Sequence, residues 1–329
     1  MTITIYADSN IYRYVATGEL EITTIGSVRF AYSSVHFDEM IRTGNMEMLK
    51  GLEALNAVPL VSNENGEYDI DSIGVCLEYV DPYKKFEDYK SDYVELPEAE
   101  ASLNELLLRM LGADNIDELK KAPDTLLSLA DDMKEIFGEG ANDFQESARL
   151  ASNDLDSMIQ GDLSTRKPLT KTRSEFGYPK GATSQHENDP NPIDEIWDRL
   201  SPKFSGVTKE QFFGFEAIPN VEMERSRIGD VAGCHLVLNM IGYHPDKGLP
   251  NRGKIRNILS DGQHLGYGSM CGCFLTSDYR LYKKADAIFK FRKYASQAEH
   301  IEYKSEGMST TLVEPGSVRR VKLERSSET

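Results

Sequence analysis

Four acidic residues stand in local settings suited to chemistry: Asp8 in YADSN, Glu39 in YSSVHFDEM, Asp261 in LSDGQHLGYG and Asp278 in FLTSDYRLYKKA. Carboxylates that converge in space repel one another, and at neutral pH such a group either shifts its pKa values or binds a cation. A hard divalent ion relieves the repulsion. Mg²⁺ and Mn²⁺ prefer oxygen ligands, and Mg²⁺ keeps several waters, one of which can be activated against a phosphodiester while the metal takes up charge on the phosphate. The chemistry expected of this set is metal-dependent phosphodiester hydrolysis. Asp8 and Asp278 would touch the metal, while Glu39 and Asp261 complete its shell or orient the attacking water. Taken singly, the same residues have plainer roles: Asp8 and Asp278 as helix caps, Glu39 as a solvated helix residue beside Asp38, and Asp261 as a turn acid.

The elements that must position these acids are legible from periodicity. Thr2 to Ala7 alternates like a strand and runs into Asp8, and Asn10 opens a helical segment, Ile11 to Ala16. Arg29 to Tyr32 reads as a short strand, with Ser33 or Ser34 as N-cap of a helix over Val35 to Arg42 that carries Glu39. Cys273 to Thr276 is strand-like and Tyr279 to Lys293 helical. Ile255 to Met270 is a weaker helix, because Gly262, Gly266 and Gly268 lower its propensity, and it sets Asp261 and His264 on one face. In open α/β sheets ligands bind at the carboxyl ends of strands, so Asp8 and Asp278 are expected at one sheet edge.

This ordered set resembles the PIN-domain family of ribonucleases. The matching residues are Asp8, Ser9 and Asn10 after a strand; Ser34 five residues before Glu39; Asp261 with His264 three residues later; then Thr276, Ser277 and Asp278, followed by a helix with Lys283, Lys284 and Ala285. The resemblance covers roughly residues 1 to 60 and 225 to 300. It implies an α/β fold of three α/β/α layers around a central parallel sheet, with Mg²⁺ or Mn²⁺ as cofactor. It makes Asp8, Glu39, Asp261 and Asp278 the metal-binding and catalytic residues, and Ser9, Asn10, Ser34 and Thr276 orienting residues. RNA is the implied substrate, cut to leave a 5′-phosphate and a 3′-hydroxyl. Many small relatives are toxins restrained by an antitoxin, which implies a toxin, stress or defence role and an inhibitory or regulatory protein partner; a homo-oligomer is also expected. Two other classes stay open: a scaffold that keeps the fold without turnover and binds a partner through its insertion, and a DNA nuclease like the flap endonucleases.

Charge and composition narrow the partners. A formal net charge of −17 over 329 residues argues against a protein that coats nucleic acid, because phosphate binding needs local positive charge. Such charge is concentrated in one place: Arg280, Lys283, Lys284, Lys290, Arg292 and Lys293, against the single acid Asp286, form a candidate nucleic-acid contact that is also readable as a solvated helix face. Four scattered cysteines (Cys76, Cys234, Cys271 and Cys273) make no disulfide framework or zinc motif and read as core thiols in a reducing, cytoplasmic setting. The opening MTITIYADSN lacks a secretory pattern and no stretch is apolar enough to span a bilayer, so no membrane association is expected.

The middle of the chain reads as an insertion. The nuclease-like domain is expected over 1–61 and 225–300, a mainly helical unit over 62–224 and a C-terminal extension over 301–329. Ala99 to Leu111, Leu126 to Phe137 and Phe144 to Ile159 carry apolar faces at helical spacing, and 161–192 reads as a linker. Trp197 and Phe212 are expected in a core, with base stacking as the alternative.

Overall fold

The computed structural model describes residues 2–24, 27–62, 73–75, 79–93, 121, 123–124, 127–128, 141–158, 169–217, 225–247, 249, 252–302, 309–314 and 317–321. Within them the chain forms β1 (Ile3–Ala7), α1 (Ser9–Ala16), β2 (Leu20–Thr24), β3 (Val28–Tyr32), α2 (Ser34–Thr43), α3 (Glu47–Ala54), β4 (Val58–Ser62), β5 (Ile73–Val75) and α4 (Pro82–Asp92). There follow α5 (Ala141–Met158), α6 (Leu169–Glu175), α7 (Thr183–His186), α8 (Pro192–Leu200), α9 (Lys209–Phe212), α10 (Arg227–Ile241), α11 (Arg252–Gly268), β6 (Cys273–Thr276), α12 (Tyr279–Arg292), β7 (Gln297–His300), β8 (Ser309–Glu314) and β9 (Ser317–Val321).

The fold is α/β. Its main sheet has the order β5-β4-β3-β1-β6-β7, in which five strands run parallel and β5 joins β4 antiparallel at one edge. Helices flank the sheet. Parallel strands are covered on both faces, which is why β6 is buried throughout, apolar up to Thr276, and why β1 ends on three buried residues, Ile5, Tyr6 and Ala7. Local signals set the helix ends: Asp8 caps α1, Ser33 precedes α2, and Gly44 ends α2 in the left-handed conformation at φ 68°. Among the described residues no helix is long and apolar enough to cross a membrane.

Contacts divide the chain into two compact units, Met1–Tyr93 with His186–Leu238 and Leu259–Thr329, and Val94–Gln185 with Asn239–Ile258. These boundaries differ from those read from the sequence. The first unit takes in α4, whose start is set by Asp81 as N-cap with Pro82 in the first turn. Its Phe86 is buried against Phe37 of α2, with ring centroids 5.5 Å apart, and its Tyr89 donates to Asp38 at 2.7 Å. Burying a Phe contributes about 2–3 kcal/mol, enough to hold an otherwise highly charged helix on this unit. The tail read as an extension also supplies structure: β8 runs parallel to β2, in register from Leu20 with Ser309 to Thr24 with Val313, and β9 completes a second sheet, β2-β8-β9.

The second unit corrects the linker reading. The described part of 161–192 contains α6 and α7, with Tyr178 fully buried between them. Arg173, within the stretch read as a linker, donates to the carbonyls of Met240 at 3.0 Å and Asn239 at 2.6 Å, satisfying acceptors at the end of α10. The expected helix near 144–159 is α5, whereas those at 99–111 and 126–137 lie outside the described residues, apart from Leu127 and Ser128.

Candidate functional site

In the parallel sheet, the chain leaves β1 for β3 and β4 on one side and returns to β6 and β7 on the other, so the strand order reverses between β1 and β6. The carboxyl edge at such a reversal is a natural crevice for a ligand. Asp8 lies there, directly after β1.

Asp8 is buried and tied in three ways. Its backbone N–H donates to the Leu275 carbonyl at 3.0 Å, its Oδ1 accepts from the Ile11 N–H at 3.1 Å, and its Oδ2 accepts a short hydrogen bond from the Thr276 hydroxyl. Thr276 Oγ1 in turn accepts from the Asp278 N–H at 3.0 Å, so β6 and the start of α12 are linked to the end of β1. Burial pushes the Asp8 carboxyl up to about 6, against the opposing effects of the Thr276 hydrogen bond and His264, and the nearby charge of Glu39 adds to the rise.

Glu39 reaches the same edge from α2. Its Oε1 lies 3.5 Å from His264 Nε2 and 3.8 Å from an Arg42 guanidinium nitrogen. Burial alone would raise its pKa, but the hydrogen bond and charge of His264, with a hydrogen bond from Ser9, bring it down to about 2. His264 is the hub. Its Nε2 also lies 3.3 Å from the Ser9 hydroxyl, and its Nδ1 lies 2.8 Å from the Tyr6 hydroxyl, which pairs with Ser33 Oγ at 2.7 Å. Beside it sits His36, fully buried, the two rings 4.7 Å apart and edge to face. His36 Nδ1 accepts from the Ser33 N–H at 3.1 Å and Nε2 donates to the Ala7 carbonyl at 3.0 Å; burial, with the nearby His264, draws its pKa down to about 3.

The structure thus gathers Asp8, Ser9, Glu39 and Thr276 around His264. Asp278 differs: it is exposed, and its Oδ1 caps α12 by accepting from Arg280 N–H at 2.7 Å and Leu281 N–H at 3.1 Å. Asp261 is half-buried on α11, three residues before His264, and Asn10 is half-buried in the first turn of α1. Ser34 is exposed, and the serine within the hydrogen-bonded network is Ser33. Of the four acids, Asp8 and Glu39 are tied to the His264 network, while the Asp278 carboxylate caps its own helix and its backbone N–H joins the Thr276 hydroxyl that bonds Asp8. Among the described residues no three His, Cys, Asp or Glu side chains are grouped to hold a metal ion.

The glycines of α11 have a packing role that propensity does not reveal. A Cβ at Gly266 would meet Ile228 Cα at 2.7 Å, and one at Gly262 would meet Ala232 Cα at 3.1 Å. This close face against α10 brings His264 to the sheet edge.

The basic set on α12 needs correction. Lys284 is fully buried, and a buried ammonium cannot contact a polyanion. Lys283 donates to the Glu187 carbonyl at 3.1 Å, Lys290 pairs with Asp286 at 2.7 Å, and Arg292 lies over the Phe215 ring at 4.6 Å. Arg280 is half-buried and Lys293 is exposed at the C-cap, so the six do not form one continuous charged face. Asp230, another acid near this region, is paired with Arg225 at 2.8 Å. Cys234, Cys271 and Cys273 are buried free thiols, raised by desolvation, Cys271 to about 12, while Cys76 lies outside the described residues. Trp197 and Phe212 pack together, with ring centroids 5.5 Å apart.

Reading from acids alone missed Tyr6 and His36, and named Ser33 only as an alternative N-cap to Ser34. A signal was present for two of these: Ser33 and His36 have the spacing of a capping box, with His in place of the usual Glu or Gln. Comparison of the chain with protein-family models, with characterised proteins and with solved structures gives no match.

Proposed function

We propose that this chain is a metal-dependent ribonuclease of PIN-like architecture, in which Asp8 and Glu39 are the carboxylates that hold Mg²⁺ or Mn²⁺. The observation that carries the reading is the buried Asp8, tied across strands at the carboxyl edge where the sheet order reverses, with Glu39 beside it. The donor set fits a small hard cation. Each Asp8 oxygen carries one hydrogen bond and keeps a free lone pair, burial leaves its charge undercompensated, and Mg²⁺ commonly takes one or two carboxylates and fills its other positions with water or phosphate.

A bound metal would lower the pKa of a coordinated water and offset charge on the phosphate. The protein's own residues supply orientation. Thr276 and the Ile11 N–H aim the Asp8 carboxylate, while His264 and Ser9 hold that of Glu39. Asp261, one turn from His264, is the nearest further acid by sequence position. Asp278 and Ser34 act at the margin, where an exposed carboxylate and hydroxyl can meet substrate, and the half-buried Asn10 amide lies in the first turn of α1. RNA as substrate, and a toxin, stress or defence role with a neutralising protein partner, follow from the resemblance of the acid pattern.

End-labelled single-stranded and structured RNAs, with DNA of the same sequence, test this in Mg²⁺, in Mn²⁺ and in chelator. Cleavage of RNA that stops in chelator and returns with metal is expected. Cleavage unchanged in chelator would remove the metal mechanism, and cutting confined to DNA would favour the flap-endonuclease-like reading. One observation favours a second reading, a partner-binding scaffold without turnover: both Asp8 and Asp278 already serve as helix caps. Its mark would be a folded, metal-supplemented protein that cuts neither nucleic acid.

A further inference from the structure

We propose that His36 is a positioning residue for the acid pair, a single imidazole that sets the end of β1, and with it Asp8, against the first turn of α2, and with it Glu39. The inference rests on the reading of Asp8 and Glu39 as the metal-binding carboxylates.

The geometry is specific about how the clamp works. Ser33 N–H, at the N-cap of α2, can only donate, so His36 Nδ1, 3.1 Å away, must be the accepting nitrogen. The ring proton then sits on Nε2 and is donated to the Ala7 carbonyl at 3.0 Å. One partner is the residue immediately before Asp8. The other begins the helix in which Glu39 lies one turn beyond His36. An imidazolium could give its Nδ1 proton only to the Ser33 carbonyl, 3.3 Å away, and would leave the Ser33 N–H without its acceptor, so the clamp needs the neutral ring, and complete burial favours that form.

The residue type follows from this double task. The third helical position after a Ser cap usually carries Glu or Gln, which reaches back to the cap N–H. A Glu at 36 would satisfy Ser33 but has no proton for Ala7, and would add a buried negative charge next to Asp8. Imidazole offers one acceptor and one donor on opposite sides of a rigid ring. That ring also packs edge to face against His264 at 4.7 Å, and His264 holds the Glu39 carboxylate at 3.5 Å. Three links therefore run from one side chain to both acids: through Ala7, through α2 and through His264.

The test measures Mn²⁺ affinity of the full chain by titration calorimetry without RNA, beside kcat and KM for RNA cleavage, in His36→Gln, His36→Asn and His36→Leu, with folding checked by circular dichroism. The His36→Gln amide has an acceptor and a donor on a side chain long enough for both partners, and is expected to stay close to wild type. His36→Asn is too short to span them and His36→Leu has neither group. Each should lose about tenfold or more in Mn²⁺ affinity and in kcat, as outer-sphere partners of metal ligands typically do, with KM for RNA little changed. Should His36→Leu fail to fold, the contrast between Gln and Asn carries the test. Wild-type Mn²⁺ affinity in folded His36→Asn would overturn the proposal, and so would equal losses in Gln and Asn, which would assign His36 to ring packing alone. A wild-type chain with no Mn²⁺ binding and no cleavage, matched by an equally silent Asp8→Asn, would overturn the acid-pair reading and this inference with it.

Discussion

The ends of β1 and β6 carry the same short pattern, a strand followed by an aspartate and a helix, yet their two aspartates live in different surroundings. Both cap the helix that follows. Asp278 does so from the surface, where water screens its charge, and its pattern ends with the cap. Asp8 sits in the middle of the sheet, receives the Thr276 hydroxyl from the neighbouring strand and is pushed up to about 6 by burial. A strand, an aspartate and a helix thus define a cap wherever they occur. The neighbours across the sheet turn one of these caps into a strained acid suited to holding a cation.

The largest effect should come from substituting each aspartate by its near-isosteric amide and comparing RNA cleavage at saturating substrate. Asp8→Asn is expected to reduce kcat by more than about 100-fold, beyond the loss typical of residues that only support a metal ligand, while Asp278→Asn falls much less. Equal losses would erase the distinction drawn between the two strand ends.

Next is stability without metal. The folded-state pKa of Asp8 is raised to about 6 from an unfolded value of about 4, so its contribution is fully present below pH about 4 and is lost as pH rises to about 6. The shift corresponds to roughly 2–3 kcal/mol. Melting temperatures measured against pH in chelator should show this decline in the wild type and a flatter profile, with a higher value near pH 7, in Asp8→Asn. Glu39 acts in the opposite sense: lowered to about 2, it contributes above pH about 4 and loses that contribution as pH falls toward 2. A wild-type profile without the decline between pH 4 and 6 would contradict the buried setting of Asp8.

A smaller loss is expected from Gly266→Ala. The new methyl group would enter the 2.7 Å approach to Ile228 and force α11 away from α10, for about 1–3 kcal/mol by denaturant unfolding. Because α11 carries His264, cleavage should fall with it; the same substitution in a solvent-facing helix would raise helix propensity instead. An unchanged or raised stability would show that the glycine face is not under packing constraint.

The smallest effect belongs to the surface cap. Asp278→Ala should cost about 1 kcal/mol, and Asp278→Asn only a few tenths, since Asn caps nearly as well as Asp. A much larger loss in the Asn variant would mean that the Asp278 carboxylate has a further role beside its cap.

Much of the fold was legible because its signals are local. Alternation in Thr2 to Ala7, the cap at Ser33 and the apolar run before Thr276 correspond to β1, α2 and β6, and the parallel α/β sheet follows from their order. The small sheet was missed because β2 and β8 pair across nearly the whole length of the chain, and short strands carry no mark of a distant partner. α4 was passed over because its highly charged composition concealed a capped start and one buried Phe. The glycines of α11 were read as propensity losses, which is correct for an isolated helix and incomplete for one that packs backbone to backbone.

At the candidate site, spacing alone put Asp8 at a strand end, Glu39 on the helix after β3, and Asp261 and His264 on one helical face, because chain connectivity and helical period leave little choice. It also gave the charge count of α12. Only the tertiary structure decided which acids are buried, that His264 pairs with Glu39 and packs against His36 beside Ala7, that Ser33 and not Ser34 joins the network, and that Lys284 is enclosed. Burial and hydrogen-bond partnership depend on groups far apart in the chain, Tyr6 with His264 and Asp8 with Thr276, so no local pattern can encode them; they arise when the sheet brings those strands side by side.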